Sequence, residues 1–386
     1  MKTSKMAECV TPSLTRKLFN MALEIGDDVI DLTLGDPDVL PPEEIRKAAC
    51  EAVMSGKTRY SANAGLLELR NVYAKFFKKH YGLEINPQRE IIATVGGMEA
   101  LFLSLSAMVD SDDEIIILAP YYVNYLQMIK MLGGKPIIID TFGKNDIELS
   151  KEIEKSITNK TIALMVNSPC NPTGDVLSAQ LLDFISQISV KNDLIVISDE
   201  VYNSLIYDGV KPDSIITRDG MKERTVIIDS CSKRFAMTGW RIGVTVGPEQ
   251  LIQNMTKMQE NIAACAPVVS QYAAIKAYGE DFDYSYINEI YSLRRDIVYN
   301  KLCEIPLLES KKSAATFYCF VDISKTGLDA ETFAYELLEK AHVAVVPGTA
   351  YGEQYTSYIR IAFTLKEEIL EEAMDRIAEF CRGLQK

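Results

Sequence analysis

The sequence predicts an α/β fold: a large domain on a mostly parallel seven-stranded sheet flanked by helices, with a smaller α+β domain beside it. Three observations predict it. Short apolar runs alternate with segments whose apolar residues recur at helical spacing, the pattern of successive βα units. The unusual polar residues cluster just after those runs, where open parallel sheets bind ligands. The length, 386 residues, suits roughly two domains.

In chain order, the strand-like runs are 91–95, 115–118, 136–139, 161–166, 194–197, 225–229 and 242–246, rich in Ile, Val and Leu. Segments 98–109, 122–132, 148–156 and 178–190 carry apolar residues at helical spacing. Beyond about residue 285 the pattern changes to helices around a few strands, at 316–323, 343–346 and 357–363. The first 40 residues, with Gly35-Asp36-Pro37-Asp38 and Pro41-Pro42, have no sheet pattern of their own. The expected division is a large domain over 45–284 and a small domain made of 1–44 and 285–386.

Composition narrows the function. Hydrophobic residues make up 47% and charged residues 25%, ordinary for a globular protein. A net charge of −13 argues against a nucleic-acid partner, although a local pocket can still be positive. The eight cysteines show no Cys-x-x-Cys pair, and Met1-Lys2-Thr3-Ser4-Lys5 is no signal peptide. Reduced thiols and a cytoplasmic location are expected. No apolar run approaches the roughly 18–20 residues of a membrane helix. Two distant histidines, His80 and His342, make a His-rich zinc site or a Ser-His-Asp triad improbable.

The most informative segment runs from Ser230 to Gly243, Ser-Cys-Ser-Lys-Arg-Phe-Ala-Met-Thr-Gly-Trp-Arg-Ile-Gly, directly after the apolar run 225–229. It suits a cofactor with an aldehyde at one end and a phosphate at the other. Lys233 would hold the aldehyde as a Schiff base, while the serines and Arg241 hold the phosphate. That cofactor is pyridoxal 5′-phosphate. A lysine after a buried strand, in a segment with few charges, is poised for a lowered pKa; a surface loop lysine is the bland reading.

Other strand ends supply further candidates. Asp199 ends the run Leu194 to Ser198, where a carboxylate can pair with a protonated pyridine nitrogen. It also suits a helix N-cap, or the magnesium carboxylate of a P-loop ATPase. The ATPase reading fails because no Gly-x-x-x-x-Gly-Lys-[Ser/Thr] exists. Gly96-Gly97-Met98 opens a helix whose N–H groups suit a phosphate, or it is simple turn chemistry. No Gly-x-Gly-x-x-Gly accompanies it, so the nicotinamide fingerprint is absent. Tyr122 is either a ring laid on the pyridine or a core tyrosine. Asn171 in Asn-Pro-Thr-Gly and Tyr202, three residues after Asp199, are placed to reach the cofactor's phenolic oxygen. Arg360 alternates with apolar residues in Tyr358-Ile359-Arg360-Ile361-Ala362-Phe363. Its partner is a substrate carboxylate or a structural acid.

Taken together the chain resembles the class I/II aminotransferases of PLP fold type I, the group that includes aspartate aminotransferase. The resemblance runs in order through Leu34-Gly35-Asp36-Pro37, Tyr60 with Gly65 and Leu69-Arg70, Gly96-Gly97, Pro120-Tyr121-Tyr122, and Asn171 to Gly174. It continues through Asp199-Glu200-Val201-Tyr202, the lysine segment, Val346-Pro347-Gly348 and Arg360. It implies that Lys233 forms the internal aldimine and shuttles the proton, that Asp199 pairs with the pyridine nitrogen, and that Asn171 and Tyr202 contact the phenolic oxygen. Tyr122 stacks on the ring, and Ser230, Ser232, Arg241 and the backbone of Gly97 and Met98 surround the phosphate. Arg360 takes the substrate α-carboxylate, with Asn171 beside it, and Gly35 lines the pocket through its backbone. Tyr60 reaches the phosphate of a neighbouring subunit, which implies a homodimer with shared active sites. Met98 stands where a small hydroxylated residue is common, Tyr122 where tryptophan is frequent, and Ala315 in place of a frequent glycine. No second arginine for a distal carboxylate is matched, although Arg16 and Arg59 are candidates.

The expected activity is ping-pong exchange of an amino group between an L-amino acid and a 2-oxo acid. The alternative is a PLP-dependent lyase or cyclase on the same scaffold, with Met237 to Arg241 favouring amino transfer. A non-catalytic PLP-binding regulator is disfavoured, because Lys233, Asp199 and Arg360 are all present and no DNA-binding module is attached.

Overall fold

The structure, a computed structural model, describes residues 2–26, 28–211, 213–279 and 285–385. Seven strands form one sheet, in the order Ile91–Thr94, Gly243–Val246, Thr225–Ser230, Ile195–Asp199, Thr161–Asn167, Glu114–Ala119 and Lys135–Asp140. All neighbours run parallel except Gly243–Val246, which is antiparallel to both strands beside it. The Ile91–Thr94, Thr225–Ser230 and Gly243–Val246 strands are buried at every position. Layers cover both faces there, which is why these strands read as continuous apolar runs with no alternation.

The intervening helices are Gly96–Ser106, Asn124–Met131, Asp146–Ser156 and Ala179–Lys191. Local chemistry starts two of them. Asn145 and Glu148 form a capping box, and the Ser178 hydroxyl accepts from the Leu181 N–H. The Gly96–Ser106 helix is different, because Val95 offers no side-chain cap. Its first N–H groups are left open at the edge of the sheet.

A second sheet has the antiparallel order Val346–Pro347, Tyr358–Ala362, Tyr318–Asp322, Glu309–Ser310. Helices Ser285–Cys303, Ala330–Ala341 and Glu367–Leu384 supply Tyr291, Phe333 and Ile377 to its core. Leu18, Ala22, Ile30 and Leu32 join that same core, so the N-terminal segment packs with the C-terminal part. One expectation needs correction: the first 40 residues do contain a strand. Ile30–Asp31 pairs parallel with Val343–Ala344. Two residues are too few to show a period of two, and their pairing is set by a partner far along the chain. The expected boundary at 284 falls within 280–284, outside the described residues. Among the described residues no helix is long and apolar enough to cross a membrane.

Candidate active site

One cavity of about 630 Å³ lies where the carboxyl ends of the large sheet meet the second sheet and the N-terminal segment. Of the residues singled out in the sequence, Gly35, Gly97, Met98, Tyr122, Asn171, Asp199, Tyr202, Ser230, Ser232, Lys233, Arg241 and Arg360 all line it. Tyr60 does not; it is 87% exposed on the outer surface. Arg16 lines the cavity as well.

Lys233 sits on a single helical turn, Cys231–Arg234, that follows the Thr225–Ser230 strand directly. Its Nζ donates to the carbonyl of Gly35 and lies 5.3 Å from the Phe317 ring centroid. Burial pulls its ammonium down to about 8, with the carboxylate of Asp36 opposing. Gly35 is forced by packing: a Cβ there would stand 1.7 Å from the Tyr318 hydroxyl. Asp36 is held in turn by the Thr238 hydroxyl at 2.6 Å.

Asp199 is buried at the end of the Ile195–Asp199 strand. Tyr125 donates to its Oδ2, and the Val201 N–H lies 3.4 Å from Oδ1. Burial raises its carboxyl to about 6, against the Tyr125 bond that lowers it. Glu200, the next residue, points away from the cavity and accepts from Ser198 at 2.8 Å, Tyr81 at 2.9 Å, Ser214 and Asn203. The alternation along the strand separates the two carboxylates.

At the opposite wall, Arg360 projects from the Tyr358–Ala362 strand and is 4% exposed. Nη1 donates to Asn171 Oδ1 at 3.0 Å, and Nη2 donates to the Thr33 carbonyl. Its guanidinium carbon stands 4.2 Å from the Tyr318 ring centroid. No carboxylate among the described residues pairs with it, and its Nε and the nearby Thr33 Oγ1 are buried without partners. A buried cation in that condition calls for an anion from outside the chain.

A third group faces the open N-terminus of the Gly96–Ser106 helix. Arg241, at φ 53°, donates through Nη1 to the Thr238 carbonyl at 2.8 Å. Its guanidinium passes so close to Gly96, itself at φ +75°, that a Cβ there would come within 2.6 Å of Nη2. The Ser230 hydroxyl donates to Ser232 at 2.9 Å. Two hydroxyls, a guanidinium and uncapped N–H groups make a cradle of the kind suited to a phosphate. Tyr122 lines the same cavity, and its hydroxyl accepts from Asn124 at 2.9 Å. The Tyr202 and Tyr318 hydroxyls meet at 3.0 Å.

Residues 27–377 match the family model for aminotransferase class I and II. The chain belongs to the class I and II aminotransferases. Similar relatives span it from end to end. An aspartate aminotransferase of Pyrococcus abyssi is 42% identical over 99% of both chains. An aromatic-amino-acid aminotransferase 2 of Thermococcus litoralis is 41% identical over 98% of this chain and 97% of its own. The crystal structure of an aromatic aminotransferase from Pyrococcus horikoshii has a TM-score of 0.89 at 40% identity, covering 95% of this chain and 99% of that one. An aspartate aminotransferase from Thermus thermophilus with maleate gives 0.90 at 34% identity, covering 98% and 99%. None of these relatives supports the lyase or cyclase alternative.

This aminotransferase is therefore a pyridoxal phosphate enzyme of fold type I, and its substrates are an amino acid and a 2-oxo acid. The cavity fits the cofactor: a lysine for the aldehyde, donors suited to a phosphate, and the buried carboxylate of Asp199, which has no salt-bridge partner among the described residues. Several residues that shape the aminotransferase site escaped the sequence reading. Tyr125 lies in the first turn of the Asn124–Met131 helix, three residues after Tyr122, which precedes that helix; the two rings meet edge-on with centroids 5.5 Å apart. Tyr318, three residues after Ala315, carried no role in the sequence. Thr238 lay within the Met237 to Arg241 segment but with no role of its own, and Asn124 gave no signal, being an ordinary polar residue near a turn.

Proposed function

We propose that this aminotransferase works through Lys233, Asp199 and Arg360 as a set, each engaging a different part of the reacting pair. Bound pyridoxal phosphate supplies an aldehyde that accepts the amino group and a ring that takes up electrons from the α-carbon. Lys233 is the nucleophile and proton carrier. With its pKa near 8, about one tenth of it is neutral at pH 7. An ordinary lysine would be neutral in only about 1 molecule in 10³ to 10⁴. With the substrate's amino group in its place on the aldehyde, its Nζ would be free to take the α-proton and return it two atoms away, across the nitrogen. Asp199 pairs with the pyridine nitrogen, and Tyr202 and Asn171 address the phenolic oxygen. Tyr122 lies on the ring face. Ser230, Ser232, Arg241 and the N–H groups of Gly97 and Met98 hold the phosphate. Arg360 fixes the substrate α-carboxylate with its planar fork, and Gly35 bounds the substrate through its backbone.

The cavity lining also includes Ser13, Thr15 and Arg16 together with the apolar Met98, Leu101 and Val123. That mixture supports acidic and aromatic side chains, in line with the aspartate and aromatic names of the relatives. We further read the enzyme as cytoplasmic. A homodimer in which Tyr60 reaches the partner's phosphate accounts for a large aromatic ring left exposed. The division into 45–284 and 1–44 with 285–386 is supported by the shared core of the two chain ends.

The observation that carries the reading is the buried, acid-free guanidinium of Arg360 facing Lys233 across one cavity. The test is a panel of L-amino acids against 2-oxoglutarate and pyruvate, followed spectrally with purified enzyme. Oxo-acid-dependent product formation is expected, abolished in Lys233→Ala. Release of ammonia without an oxo-acid co-substrate would sink the reading.

A further inference from the structure

Behind Lys233, on the face of the strand end turned away from the cavity, lies a charge pair that the chemistry does not use. Asp229 and Arg234 are 2% and 6% exposed, and Arg234 Nη2 stands 3.9 Å from Asp229 Oδ1. Asp229 is fixed from three directions. Its Oδ2 accepts from Tyr73 at 3.0 Å and Tyr278 at 3.3 Å, and its Oδ1 accepts from the Ser230 N–H at 2.8 Å. The Arg234 guanidinium lies 5.2 Å from the Phe76 ring centroid, and its Nε has no hydrogen-bond partner among the described residues. The contact is a charge pair held by its surroundings, looser than a hydrogen bond.

Its position in the chain gives it meaning. Asp229 and Arg234 bracket Ser230 to Lys233, so the pair closes a loop around the segment that carries both the phosphate serines and the lysine. Side chains alternate along the strand and turn by about 100° per residue on the helical turn. Ser230 and Lys233 therefore face the cavity while Asp229 and Arg234 face the rear. As a source of stability a buried pair is weak, since apolar residues of similar volume serve as well or better. What it supplies is a fixed register between strand end and helical turn.

We propose that Asp229 and Arg234 form a rear strap that positions Lys233 for linkage to the cofactor. This rests on the reading of Lys233 as the linking residue. Strap and phosphate cradle are separable, because only an aldehyde can link to the lysine. Pyridoxamine 5′-phosphate, with an amine in that place, uses the cradle alone.

The experiment measures the affinity of the apoenzyme for pyridoxal 5′-phosphate and for pyridoxamine 5′-phosphate in Asp229→Asn, Arg234→Met and the double variant. Misplacing a reacting group by ~1 Å costs about 10²-fold, so each single variant is expected to lose roughly tenfold or more for the aldehyde form and under threefold for the amine form. The double variant leaves no orphaned charge and keeps a foldable protein in hand; it is expected to show the same selective loss, no larger than the singles. Equal losses for both forms would mean that the pair merely stabilises the fold, and no loss for either would mean that it positions nothing. Both results overturn the strap. If the unsubstituted protein itself shows no advantage for the aldehyde form over Lys233→Ala, the lysine reading fails instead.

Discussion

The hydroxyl of Tyr125 donates to Oδ2 of Asp199 at the floor of the cavity, one fully buried group satisfying another. This bond lowers the proton affinity of a carboxyl that burial raises to about 6. It also fixes which oxygen remains for the cofactor. Tyr125→Phe is expected to move the titration midpoint of Asp199 above about 6, read by NMR of carboxyl-labelled apoenzyme. An unchanged midpoint would show that the bond does not act on the carboxylate.

Asp199 predicts a reversal of stability between the empty and loaded enzyme. Its folded pKa lies above the ordinary value of 3.8, so its favourable contribution is full below about pH 4 and is lost as pH rises through about 6. At pH 7 the empty enzyme holds an ionised, desolvated carboxylate, a cost on the order of 2–3 kcal/mol. Asp199→Asn should therefore raise the Tm of the apoenzyme at pH 7, with the difference gone at pH 4. The same variant should bind pyridoxal phosphate less tightly. Thermal melts at the two pH values and a cofactor titration check the three outcomes.

Arg360 is a buried cation with no acid paired to it among the described residues, which supports its reading as the carboxylate-binding group. Arg360→Gln is expected to lower kcat/KM for every amino-acid donor by roughly 10- to 100-fold, the range for a lost charged hydrogen-bond pair. Arg360→Lys should recover little, because a single ammonium cannot reproduce two parallel N–H bonds. Steady-state kinetics with two donors of different side chain separates this from a specificity effect, since the α-carboxylate is common to both.

Gly35 gives a steric prediction. An alanine Cβ would stand 1.7 Å from the Tyr318 hydroxyl and 2.9 Å from Phe317, so Gly35→Ala must push the aromatic pair or the Lys233 tether aside. The expected cost is about 1–3 kcal/mol in urea denaturation. Gly383→Ala, with nothing within 4 Å of its added Cβ, should stay within roughly 0.5 kcal/mol of the unsubstituted chain.

The large sheet and most of the cavity were legible because both are written locally. A buried parallel strand is a short apolar run, and the residue ending it, as in Asp199 or Ser230, lies where ligands bind. What stayed hidden depends on contacts between distant segments. The Ile30–Asp31 strand has too few residues to carry a pattern and exists because Val343–Ala344 receives it. Arg360 was visible as a charge in a half-buried strand, but only the structure shows that no acid among the described residues pairs with it. Asp229 ends the apolar run before the lysine segment and Arg234 follows the lysine, so neither carries a cofactor-facing signal. Their pairing runs behind the strand, on the side that a search for cofactor ligands ignores.

The pairing of Ile30 with Val343 also sets an order of events at the ribosome. Thr33 to Asp36, which meet Arg360 and Lys233, leave the exit tunnel early, after only Ser13 to Arg16 of the cavity's walls, yet the strand that receives the segment before them is made near the end. The large sheet can gather its own strands during synthesis, but the front wall has nowhere to dock until the last part of the chain emerges. A nascent chain halted after residue 300 would carry the lysine and the phosphate cradle and still lack the far wall. Capture of the amino acid is a property that only the finished chain acquires.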